Sequence, residues 1–112
     1  MSLQQQVHHF QGGKDGLTIT WDLYRGKRNG GEQYYLVGTR VKVYEEEPTK
    51  GELAAISGQH IIADRIVDTV ARYNAHTKTL RVTFEKEYND LHLAEADFML
   101  FVSDVVGVKN PL

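Results

Sequence analysis

QHIIADRIVDTVARYN, residues 59–74, is the stretch on which the fold turns. Its apolar residues Ile62, Ala63, Ile66, Val67, Val70 and Tyr73 recur at helical spacing and fall on one side of a helix. Asp64, Asp68 and Arg72 lie on the other side, and Asp68 ahead of Arg72 is the acid-then-base order a helix favours. As a strand the stretch alternates poorly, because both faces mix aliphatic and charged residues. The spacing predicts an amphipathic helix over 59–74, with Ile66 and Val70 against a sheet. Tyr73–Lys78 also resembles a hairpin turn, which supports an all-β barrel or sandwich as the alternative fold.

The flanks supply the sheet. Leu17, Ile19, Trp21 and Leu23 alternate with Thr18, Thr20, Asp22 and Tyr24, the pattern of a half-buried strand. The glycine-rich, basic run Gly26–Gly31 contains Asn29-Gly30 and joins it to a second strand, Gln33–Glu45, as an antiparallel hairpin. In that second strand Tyr35, Val37, Val41 and Val43 form the more apolar row and are expected inward. Tyr34, Leu36, Arg40, Lys42 and Tyr44 are expected outward. A third strand, Lys78–Tyr88, turns Leu80, Val82, Phe84 and Tyr88 inward and Arg81, Glu85 and Glu87 outward. Val7–Gln11 suits a short fourth strand, and residues 1–6 are polar enough to fray.

Two further helices are signalled by their ends. Thr49 and Glu52 fit a capping box ahead of Leu53 and Ile56, and Ser57-Gly58 interrupts the helical spacing beyond them. Asn89 or Asp90 suits the N-cap of a helix carrying Leu91, Ala94, Phe98, Phe101 and Val105, with Gly107 and Pro111 closing it, although the central run Phe98–Val102 equally suits a buried strand. The expected architecture is α+β. It is a two-layer sandwich with a mainly antiparallel sheet of three or four strands and the helices on one face.

Composition sets the class. The 112 residues suit one domain, 1–112, and 41% hydrophobic with 25% charged residues suits a globular chain. A net charge of -2 gives no reason to expect nucleic acid or a membrane surface as partner. The absence of cysteine removes disulfides, thiolate metal sites and cysteine nucleophiles, and fits a reducing compartment. No basic, apolar leader opens the chain, and no apolar run nears the roughly 20 residues of a membrane span. A soluble, cytoplasmic protein is the expectation.

Chemistry is sparse. His8 and His9 are adjacent, so on a strand they diverge and share no metal easily. His60 and Asp64, one turn apart on the expected helix, suit a general base with its orienting carboxylate. They equally suit a surface hydrogen bond. His92 and Glu95 repeat that ambiguity, and all four would make a metal site only if two helices brought them together. No phosphate loop, nucleophile elbow or metal-binding helix motif is present, so no metal and no cofactor is implied. The unusual feature is the expected outward sheet face, carrying Tyr24, Tyr34, Leu36, Arg40, Lys42, Tyr44 and Arg81. Tyrosine and arginine are enriched at protein interfaces. We therefore expect a binding or assembly module, self-associating through that face as a homodimer or binding a protein partner. A small enzyme using His60 and Asp64 is the alternative.

Overall fold

The structure, a computed structural model, describes residues 5–14 and 16–107; at 14, 28 and 104–107 the description is of the backbone only. Six strands and two helices come in the order β1 (Gln5–Lys14), β2 (Leu17–Arg28), β3 (Gly31–Val43), α1 (Lys50–Ile56), β4 (Gly58–Ile62), β5 (Arg65–Asn74), β6 (Thr79–Tyr88) and α2 (Leu91–Gly107). The strands form one antiparallel sheet in the order β1-β2-β3-β6-β5-β4. The α+β expectation holds in outline, with a larger sheet. Fraying was expected of residues 1–6; residues 1–4 lie outside the described residues, while Gln5 and Gln6 pair with β2.

The 59–74 stretch is a β-hairpin, not a helix. Ala63 and Asp64 have φ of +48° and +64°, the paired left-handed residues of a two-residue hairpin loop. Two such residues in succession end any right-handed helix. Beyond the turn β5 alternates strictly: Val67, Thr69 and Ala71 are buried, while Ile66 and Val70 are 57% and 47% exposed. The expected burial of Ile66 and Val70 is thus reversed. An aliphatic residue on the solvent face and an alanine on the core face imitated helical spacing.

The faces of β3 are also the reverse of expectation. Asn29 and Gly30 both have positive φ and make a tight turn that pairs Arg28 with Gly31. Counting back along that register sets Leu23 against Leu36 and Trp21 against Gly38. Tyr34 and Leu36 therefore join the core at 5% and 1% exposure, and Tyr35, Val37, Val41 and Val43 point to the other side. Trp21 is buried beside Gly38, with Phe84 and Phe101 over its ring at 6.0 and 4.9 Å between centroids.

The N-terminal signals of both helices are realised, while Pro111, expected to close the second, lies outside the described residues. Thr49 Oγ1 accepts from the Glu52 amide at 3.1 Å and Glu52 Oε1 accepts from the Thr49 amide at 2.9 Å, so both arms of the capping box stabilise α1. Asp90 Oδ1 accepts from the His92 amide at 2.8 Å at the start of α2. Ala94, Phe98 and Phe101 of α2 lie on the row of Trp21, Leu23, Leu36 and Phe84. The core sits there, between α2 and one face of the sheet.

Candidate functional site

The seven residues expected on one open face are divided by the structure. Tyr24 and Arg81 do lie on the open face. Tyr34 and Leu36 are under α2, with the Tyr34 hydroxyl donating to Glu32 Oε2 at 2.7 Å. Arg40 and Lys42 continue that covered row toward the far end of β3, opposite Ile19 and Leu17. Tyr44 lies just past β3, where its carbonyl accepts from the Tyr73 hydroxyl at 2.7 Å.

The open face is built from the alternate residues. Between β5 and β6, Asp68 stands opposite Glu85, Val70 opposite Thr83, and Arg72 opposite Arg81. β3 extends the three rows with Val37, Thr39 and Val41, and β2 with Asp22, Thr20 and Thr18. One row is acidic, the next neutral, the third basic. Each charged row sets like charges directly opposite each other, a destabilising arrangement within one sheet. Val43, Ile61, Ile66 and Val70 are exposed on this side, so the face is apolar as well as charged. Sequence reasoning missed Asp68, Arg72, Val37, Val41 and Val70. The Asn29-Gly30 turn carried the signal, because it fixes which residues of β3 face which residues of β2.

The covered face has an uncapped end. Beyond the reach of α2, a cavity of about 320 Å³ opens between Ile56 of α1, Ile62 of β4 and the floor residues Leu80, Val82 and Phe84. Arg40, Lys42 and His60 also line it. The Arg40 guanidinium stands over the Phe84 ring, 5.0 Å from its centre. Thr69, 4% exposed, lines the same cavity, and its Oγ1 makes no hydrogen bond among the described residues.

His60 and Asp64 are not one helical turn apart. His60 lies in β4 opposite Val67, and Asp64 is in the β4–β5 turn. The His60 Nε2–H donates to the Ile56 carbonyl at 2.5 Å. His92 lies 4.0 Å from Glu95 on α2, and no group of three or more metal-binding side chains forms among the described residues. His8 and His9 diverge as expected: His8 meets Glu95 at 2.8 Å and stacks on Phe98, while His9 meets Asp22 at 2.5 Å on the open face.

A polar joint fastens α2. Asp97, buried, accepts from Arg65 Nε at 3.1 and 3.2 Å and from the Tyr88 hydroxyl at 2.5 Å. Burial first, then the hydrogen bond to the Asp97 carboxylate and its charge, push the Tyr88 phenol far above the ordinary tyrosine range. The joint ties helix, β5 and β6 together and opens onto none of the cavities described. Among the described residues no helix is long and apolar enough to cross a membrane. No family model matches the chain, and no curated protein or solved structure matches it.

Proposed function

We propose that the chain is an assembly module that pairs with a second copy of itself through the open face of its sheet. The observation that carries this reading is the symmetry of charge about the neutral row Val70–Thr83–Thr39. Asp68 and Glu85 lie one row to one side, Arg72 and Arg81 one row to the other. A two-fold axis laid along the neutral row sets Asp68 over the partner's Arg72 and Glu85 over the partner's Arg81, and each contact occurs twice. The same operation sets Val37 over the partner's Val41 and Tyr35 over the partner's Val43. The face is thus self-complementary in charge and in apolar area, as a closed two-fold contact requires. Like-charge pairs that strain the single sheet become ion pairs between sheets. Polyanions suit the face poorly, because Asp68, Glu85 and Asp22 all stand in one row of it.

Mass measured by light scattering tests the reading. The wild type is expected to be dimeric at high micromolar concentration. Arg81→Glu turns two contacts repulsive and is expected to weaken the dimer by about tenfold or more. Glu85→Arg does the same. Combining both on one chain restores opposite charges across the axis, and the dimer is expected to return. A monomeric wild type, or a dimer indifferent to both single reversals, overturns the proposal.

A further inference from the structure

We infer that Arg72 and Arg81 form a binding site for a dianionic phosphoryl group, and that an occupied site opposes the dimer contact. The binding stands on the geometry of one chain. Its effect on assembly rests on the dimer reading.

The two arginines stand directly opposite each other on β5 and β6, on the open face. Residues so placed have their Cβ atoms about 5 Å apart, and like charges at that distance are destabilising. Neither guanidinium forms an ion pair or a hydrogen bond with another of the described residues. The row they share continues into Val41 and Thr18, which bring no acid. Both arginines line a depression of about 660 Å³ at the β5–β6 turn, and none of its described lining residues is acidic.

The rest of the depression adds donors and is held in shape. Asn74 Oδ1 accepts from the amides of His76 and Thr77 at 2.9 and 3.2 Å. His76 lines the depression and can donate a ring N–H. The Thr77 and Thr79 hydroxyls share one hydrogen bond of 2.6 Å, which leaves one O–H of the two to donate outward. Partial burial, then the charges of Glu47 and Glu45, raise the Tyr73 phenol, but Tyr73 belongs to the covered row of β5. Those acids therefore bear on the other side of the turn, and Glu45 is matched by Lys78 at 3.7 Å.

The ligand class follows from charge and shape. A phosphoryl monoester carries about two negative charges near neutral pH and three strong acceptor oxygens. Two planar guanidinium forks can bind such a group together. A carboxylate brings one charge and two oxygens, which a single fork uses up. A long polyanion that follows the strands meets Asp68 and Glu85 about 14 Å away, so the face selects a small ligand. In the proposed dimer the partner's Asp68 lies over Arg72 and the partner's Glu85 over Arg81. Partner and phosphoryl group then compete for the same N–H donors.

NMR of the arginine Nε–H groups tests the site, with phenyl phosphate, inorganic phosphate and benzoate titrated at constant ionic strength. Phenyl phosphate is expected to saturate the Arg72 and Arg81 signals together, and benzoate to bind about tenfold or more weakly. Inorganic phosphate separates the two sources of the group: weaker binding than phenyl phosphate assigns the site to an ester, equal binding to free phosphate. Arg72→Gln and Arg81→Gln should each lower the affinity about tenfold or more. Neither should melt below the wild type, since each removes a like-charge opposition. Arg72→Lys keeps the charge without the fork and should still bind severalfold more weakly. Glu85→Gln removes a competitor and leaves the site intact, so phenyl phosphate affinity should rise. By light scattering, phenyl phosphate should dissociate the wild-type dimer more than chloride at the same ionic strength. No saturation at millimolar phosphate, or affinity unchanged in either glutamine variant, overturns the site. Saturation with the dimer intact overturns the competition. A monomeric wild type overturns the dimer reading instead, and the NMR titration still decides the site.

Discussion

Gly38 sets the limits of the core. A Cβ placed on it would lie 2.3 to 2.6 Å from three ring carbons of Trp21, far inside contact distance. What Gly38 supplies is space, since the indole lies across the strand where a side chain would be. Phe84 and Phe101 hold the indole from the other sides, so it has nowhere to retreat. Gly38→Ala is therefore expected to destabilise the fold by about 1–3 kcal/mol or more, as overpacked cores do, measured by urea unfolding followed by circular dichroism. Trp21→Phe removes the ring carbons that clash. The double variant should be less destabilised than the sum of the singles, which is the signature of direct contact. Additive losses would mean that the two residues do not share the space.

Much of the element structure is legible in the chain, and the departures have one cause. The alternation of β2 and β6, the caps at Thr49 and Asp90 and the apolar stripe of α2 all act locally, within one turn or one strand, and the residues alone reveal them. The hairpin over 59–74 escapes such a reading because its turn, Ala63-Asp64, lacks the usual glycine and because Ile66 and Val70 lie on the solvent side. β3 reads the wrong way round for the same reason: its open row, with Tyr35, Val37, Val41 and Val43, is more apolar than its covered row. Burial and hydrophobicity part company on this open face, where Val43, Ile66 and Val70 are exposed, and that is where periodicity fails. The α2 joint makes a separate prediction. Tyr88 is held neutral in the fold, so its phenol loses a proton more readily in the unfolded chain. Its contribution to stability is complete below about pH 10, where an ordinary tyrosine titrates, and is lost as pH rises beyond that. Tyr88→Phe should flatten the alkaline fall in stability seen by thermal melting at stepped pH. An unchanged slope would locate the alkaline sensitivity elsewhere.

At the scale of the molecule, α2 lies on the Trp21 face and the opposite face carries the three charge rows. A two-fold contact there makes a geometric prediction that side-chain chemistry cannot imitate. Residues on the axis face their own copies, and residues off the axis face a different residue. Thr83 lies on the proposed axis, while Arg81 and Glu85 lie one row either side of it. Rows on one face of a sheet are about 7 Å apart along the strand, and packed sheets are about 10 Å apart. Two copies of residue 83 are then separated by about 10 Å, two copies of residue 81 by about 17 Å, and residue 81 from the partner's 85 by about 10 Å. The chain has no cysteine of its own, so single thiols can be placed at will. With a short, rigid bifunctional maleimide, Thr83→Cys should cross-link to itself. Arg81→Cys alone should not, and neither should Glu85→Cys alone. Mixing the last two variants should give the cross-linked heterodimer, for which the ion pair lost at one contact is retained at its symmetry mate. Self-linking at 81 with none at 83 would move the axis off the neutral row, and with it the charge complementarity on which the assembly rests.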